Sequence, residues 1–316
     1  LQGNVAPDAK IADTFAEYLE KRQWKEPQRT EEQEGGQAID QQIDQNTIDQ
    51  QIGRAQPQEG IPIDQQIDEQ IDEAQEAEEE RKISMEELKA ALARAKNNKA
   101  PGPDGVAIEM IRHLNEQHLQ LILDICNDCW EKEKLQEFMN TAEVVEIFKK
   151  GRSDLPENYR PISLLSVVYK LYASVIKVRL QEEIEGKLDA TQFGFRKARS
   201  TTQPLFVLRR IQEQQEERGA PLVVVLLDWE KAFDKLDQGK IEKALGKLGV
   251  SGKLIRIVNS IYKDPSFYVK AAGQKSGERR QNSGIRQGCP LSPLLFALAS
   301  DSLLRVIKGR QPRTST

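Results

Sequence analysis

Asp228 closes the most continuous apolar, β-branched run of the chain, Pro221-Leu-Val-Val-Val-Leu-Leu-Asp228. A strand of that composition is expected to be buried on both faces. A carboxylate at its carboxyl end is then out of place unless it caps a helix or does chemistry. A second acid, Asp234, follows directly after Phe233. Elsewhere Cys126 and Cys129 form a C-x-x-C with His113 and His118 nearby, which is half of a zinc ligand set. The same cysteines fall at helical spacing with Leu119, Ile122 and Trp130, which is the pattern of a core-facing helix. With three cysteines in all, no second pair completes a structural zinc site or a disulfide framework, and the composition suits a reducing compartment.

The elements that must position these residues are unevenly distributed. Residues 1–82 carry 21 acidic and 8 basic residues, leaving 29 acids and 38 bases for 83–316. The formal net charge of -4 thus hides an acidic arm and a basic body that could attract polyanions, of which nucleic acid is the commonest. Residues 31–80 repeat IDQQID-like units, with isoleucines four apart at 39 and 43, 48 and 52, and 63, 67 and 71. Glycines and prolines break each stripe, so the arm reads as disordered or partly helical, or as a weak partner-binding stretch. Order is expected from Ile83, where Ser84-Met-Glu-Glu87 fits a capping box and Ile83 with Leu88 a hydrophobic staple. That helix should end near Asn97, before the turn-forming NNKAPGPDGV. Further helices are predicted over 106–114, 117–137, 164–185, 201–217, 238–248, 251–263 and 293–308, and strands over 142–148, 221–228 and 266–272. The longest uncharged run, Gln287 to Ser300, holds two prolines and is too short to span a bilayer. The start, LQGNVAPDAK, shows no secretory signal and no initiator Met, as expected of an intracellular fragment or processed product rather than a secreted protein.

Four blocks in fixed order, KNNKAPGPDGVAIEMIRHL, FKKGRSDLPENYRPISLLSVVYKLYASVIKVRL, LLDWEKAFDKLD and GIRQGCPLSPLLFALASD, together resemble the reverse transcriptase domain of non-LTR, LINE-type retrotransposons over residues 83–308. The resemblance implies an α+β fold: right-hand polymerase fingers and a partial palm over 83–316, preceded by the low-complexity acidic arm. It implies an RNA template, a DNA primer, deoxynucleoside triphosphates, magnesium in a two-metal site, and action in the nucleus or cytoplasm.

By the same resemblance Asp228 would be the first metal-binding and catalytic aspartate, with the backbone carbonyl of Trp229 as a further oxygen ligand. Hard oxygen ligands are what magnesium requires. Asp234 would be structural, closing the turn into the next helix. Phe233 matches the aromatic residue beneath the sugar of the incoming nucleotide, or it is a core phenylalanine. Arg160, with Lys149 and Lys150 on the adjoining strand end, would meet the triphosphate, since a guanidinium fork suits phosphate oxygens. Gln287 and Gly288 match the segment beside the nascent base pair, and Arg286 would contact template or nucleotide. Arg196, Lys197 and Arg199, interleaved with Phe193 and Phe195, resemble the template-contacting stretch.

Relatives carry a Tyr/Phe-Ala-Asp-Asp turn a few dozen residues after the last block, and no such turn occurs before Thr316. The expectation is therefore a polymerase fragment, inactive alone, with a non-catalytic nucleic-acid-binding relic as the alternative.

Overall fold

The computed structural model describes residues 8–25, 81–271 and 273–309. The isoleucine-rich repeats of 31–80 lie outside them. The boundary drawn at residue 82 needs correction: residues 8–25 belong to the same compact unit as the body that follows Lys82. Here α1 (Asp8–Tyr18) runs into a single π-helical turn (Leu19–Gln23), and Ala12, Phe15, Ala16, Leu19 and Trp24 are buried against the body. Averaging the charge over the whole arm had concealed this apolar stripe.

After the undescribed stretch, α2 (Met85–Arg94) begins as its sequence demands. Ser84 accepts from the Glu87 N–H and the Glu87 side chain accepts from the Ser84 N–H, so two otherwise orphaned donors are satisfied. Ile83 and Leu88 are both buried beside them. Glu87 also receives Arg179 bidentately at 2.8 Å on each oxygen, and the guanidinium lies 4.4 Å from the centre of the Trp130 ring. This pair ties α2 to α5 (Val167–Ile184), which is apolar on most faces and runs through the core with Leu171, Tyr172, Val175, Ile176 and Leu180 buried. Between them come the short α3 (Ile108–Arg112) and α4 (Glu116–Glu131). Cys126 and Cys129 sit fully buried on the inner face of α4, and burial pushes the Cys126 thiol up to about 12.

The sheet has the order β2-β1-β3-β4, with β5 also paired to β3. β1 (Thr141–Phe148) is antiparallel to β2 (Tyr159–Leu164), with Ile147 opposite Arg160, and parallel to β3 (Ser266–Ala271), with Val144 opposite Val269. The two-residue β4 (Gln274–Lys275) and β5 (Arg279–Arg280) are antiparallel to β3. The remaining helices are α6 (Thr202–Glu217), α7 (Gln238–Lys247), α8 (Gly252–Ile261) and α9 (Ser292–Gly309). No helix among the described residues is long and apolar enough to cross a membrane.

One strand prediction is overturned. Residues 221–228 form no strand and pair with none among the described residues, and Val223, Leu226 and Leu227 are more than 80% exposed. β-branched composition favours an extended backbone, but a strand forms only when its N–H and C=O groups find a neighbouring ladder.

Candidate functional site

Three of the four sequence blocks meet at the segment Gly284–Gly288. From one side the Ser163 N–H of β2 donates to the Gln287 carbonyl at 2.8 Å. Gly288, at φ +143, lets the backbones approach so closely that a Cβ there would stand 2.2 Å from the Ser163 oxygen. From the other side the turn before α7 closes on the same segment: Gly284 N–H donates to Leu236 O at 2.9 Å and Ile285 N–H to Phe233 O at 2.8 Å. The Gln287 side-chain amide then donates to both carboxylate oxygens of Asp234 at 3.0 Å. The fourth block joins through Gly102, where a Cβ would fall 2.4 Å from the Leu165 backbone carbon, so KAPGPDG lies flat against the end of β2.

Asp234 is the buried electrostatic centre of this junction, only 3% exposed. Burial raises its carboxyl above the usual range, while hydrogen bonds from Trp24, Gln23 and Gln287 and the charge of Lys231 work the other way. The entry to α7 is capped instead by Asp237, whose side chain accepts from the Gly239 and Lys240 N–H groups, while the Asp234 carboxylate is held by Trp24 and Gln287. Phe233 beside it is half-buried and stacks on Phe296 at 5.2 Å, with Phe195 edge-on at 6.2 Å. The ring is thus fixed by two aromatic neighbours without being fully buried.

Arg160, Lys149 and Lys150 are all exposed at one end of the β1–β2 pair. The loop joining the strands is closed by Lys149 N–H to Asn158 O at 2.9 Å, Tyr159 OH to Ser153 O at 2.7 Å and an Arg152–Asp154 ion pair at 2.6 Å. Asp228 and Trp229 stand exposed on the segment, unpaired among the described residues, that precedes the Phe233 turn. Asp228 is therefore an exposed carboxylate and not the tip of a buried strand. No group of three or more His, Cys, Asp or Glu side chains gathers among the described residues.

Two arginines assigned to nucleic acid lie elsewhere. Arg286 is fully buried; its Nη2 donates to the Asn140 carbonyl and its guanidinium lies 5.7 Å from the centre of the Tyr169 ring, so it braces β1 against the core. The Arg196 side chain is largely enclosed and clamps its own loop, paired with Glu185 at 2.8 Å and donating to Asp189 O at 2.8 Å. In both, a guanidinium on a long apolar stem meets internal carbonyls, although Arg286 keeps Nε and Nη1 buried without a partner among the described residues. Lys197 and Arg199 remain exposed, Arg199 lying 5.7 Å from the Phe193 ring centre.

A feature not singled out from the sequence is a groove of about 840 Å³ running beside β1, β2 and α5 as far as Gly288. Arg94, Lys96, Lys99, Lys170 and Lys177 line it over an apolar floor that includes Val145 and Ile162. Burial pushes the Lys170 ammonium below its ordinary value, and the charge of Asp104 acts in the opposite direction. The available signal was that Lys170 and Lys177 recur two turns apart on α5, and that the KNNKAPG stretch carries Lys96 and Lys99.

A mixed α/β body that brings these blocks into contact around one buried carboxylate is the framework of a polymerase-type domain. The family described as "Reverse transcriptase (RNA-dependent DNA polymerase)" matches residues 147–314, and the chain belongs to that family. It is 30% identical over 225 residues to an "RNA-directed DNA polymerase from mobile element jockey" of Drosophila funebris, covering 68% of this chain and 24% of that protein. It is 27% identical over 252 residues to the "Transposon TX1 uncharacterized 149 kDa protein" of Xenopus laevis, covering 80% and 19%. It is also 27% identical over 229 residues to the "Retrovirus-related Pol polyprotein from type-1 retrotransposable element R2" of Popillia japonica, covering 71% and 30%. The chain thus spans a fifth to under a third of the length of these relatives.

Proposed function

We propose that this chain supplies the fingers and the first part of the palm of an RNA-directed DNA polymerase of a non-LTR retrotransposon, and that it binds RNA template, DNA primer and deoxynucleoside triphosphate. The observation that carries the reading is the convergence of β2, the Phe233–Asp234 turn and Gln287–Gly288 on one junction, with Gly102 packed behind it. In this reading Arg160, Lys149 and Lys150 take the triphosphate. The Phe233 ring, backed by Phe296, lies under the sugar and excludes a 2'-hydroxyl by bulk, while Gln287 and Gly288 border the base.

Template is held by the lysine-lined groove together with the exposed Lys197 and Arg199. Ammonium groups over an apolar floor suit a sugar-phosphate backbone read without regard to sequence. Magnesium is the ion that the family chemistry calls for. The described residues offer Asp228 and the Trp229 carbonyl, while both oxygens of Asp234 are already engaged by N–H donors, so by themselves these residues do not make a two-ion site.

Binding of the whole chain to a labelled RNA–DNA primer-template, followed by anisotropy as salt is raised, tests the groove. Affinity should fall steeply with salt, and Lys96→Glu combined with Lys99→Glu should weaken it by about tenfold or more at 0.1 M salt. Binding that ignores salt and both substitutions would refute the groove assignment.

A further inference from the structure

The amino-terminal helical segment has no part in the reading above, yet it reaches the centre of the site. Trp24 is 1% exposed, packs edge-to-face on Phe267 at 4.7 Å, and donates its indole N–H to Asp234 Oδ1 at 3.1 Å. One turn earlier, Lys231 donates its ammonium to the Tyr18 hydroxyl at 2.6 Å and to Gln23 Oε1 at 3.3 Å. The segment therefore holds the residues on both sides of Phe233, in a turn where Lys231 itself sits at φ +49. Its outer anchors are Glu20 with Arg279 at 2.7 Å and the Asp13 carboxylate, which accepts from Gly277 N–H at 3.2 Å. A helix serving only to cover apolar surface has no need of polar contacts to this turn.

We infer that residues 8–25 form a positioning device for Gln287: Trp24 fixes the Asp234 carboxylate, and the carboxylate fixes the Gln287 amide so that its Oε1 faces the incoming nucleotide. The amide orientation follows from donor and acceptor chemistry. Both Asp234 oxygens lie 3.0 Å from Gln287 Nε2 and Oδ1 also accepts from the Trp24 N–H, so once the carboxyl is ionised, above its raised titration range, a flipped amide would set oxygen against oxygen. The acceptor is thereby left on the other side of the side chain, which is half-exposed beside Gly288. Trp24 is thus a positioning residue, acting through Asp234. The facing of Oε1 toward nucleotide rests on the proposed function, whereas the orientation itself does not.

The test uses the full chain labelled with 15N at glutamine, with the Gln287 side-chain NH2 signal identified by its loss in Gln287→Ala. Trp24→Phe keeps a ring against Phe267 and removes the N–H. It should shift or broaden that signal, as should Asp234→Asn, while the thermal midpoint checks that both variants remain folded. With primer-template present, Trp24→Phe should weaken deoxynucleotide binding by a factor of about five, and that factor should vanish in the Gln287→Ala background. An unchanged amide signal, or equal weakening with and without Gln287, overturns the inference. A shifted amide signal with no nucleotide effect in any variant overturns the facing of Oε1 and places the fault in the nucleotide-site reading rather than in the clamp.

Discussion

Replacing Gly288 by alanine should pull two of the converging blocks apart at their closest point. The added Cβ would lie 2.2 Å from the Ser163 carbonyl oxygen, against the 3.0 Å below which real Cβ atoms essentially never come, so one backbone must give way. The site cannot relax cheaply, because Ser163 N–H is also bonded to Gln287 O at 2.8 Å and Gly288 stands at φ +143. A left-handed backbone costs an L residue about 1–3 kcal/mol, and overpacking of this kind about 1–3 kcal/mol. Together they give about 2–6 kcal/mol, a large share of the roughly 5–15 kcal/mol that keeps a protein folded. Gly246→Ala is the control: it lies in α7 with nothing within 4 Å of the added atom, and alanine should stabilise that helix by about 0.5 kcal/mol. Urea unfolding followed by far-ultraviolet circular dichroism measures both. A Gly288→Ala variant within about 0.5 kcal/mol of wild type would refute the close-approach argument.

Asp234 and the exposed apolar run give two more predictions. The Asp234 carboxyl is raised by burial, so the folded chain keeps a proton that the unfolded chain has already released; stability falls as pH climbs from the ordinary aspartate range through the raised value. The unfolding free energy of wild type minus that of Asp234→Asn should therefore decrease with pH across that window, and a difference that is flat or rises would contradict the assignment. Leu226 is 85% exposed, so Leu226→Ser should change the stability of this chain by less than about 0.5 kcal/mol. A loss of about 2 kcal/mol or more, the size expected for a buried leucine, would mean the run is packed in solution.

Much of the body could be read from residue order because local signals and packing agree. The capping box at Ser84 and the apolar stripes of α4, α5 and α8 placed these helices to within a few residues, and α4 ended earlier than its pattern, at Glu131. Other parts depend on partners that residue order does not reveal. β2 was missed because Tyr159–Leu164 is short and contains Pro161, which lacks an N–H for the ladder, and it forms because β1 is beside it. The 221–228 run failed in the opposite way, with strong strand composition and no ladder among the described residues. Family resemblance assigned Phe233, Gln287 and Gly288 to the nucleotide and left Asp234 a separate structural residue, whereas the structure bonds the Gln287 amide to Asp234 directly. It could not tell which arginines point inward, because Arg286 and Arg196 are distinguished from Arg160 only by the carbonyls and rings that surround them. Trp24 escaped notice because its partner, Asp234, is 210 residues away.

In the proposed function the Asp228 carboxylate would serve the chemistry while Asp234 holds the framework. Primer extension on an RNA template by the whole encoded protein, with Asp228→Asn and Asp234→Asn compared at saturating nucleotide, tests it most directly. The account predicts that Asp228→Asn abolishes incorporation, whereas Asp234→Asn retains measurable turnover with weakened nucleotide binding. Full activity in Asp228→Asn, or equal loss in the two variants, would contradict it.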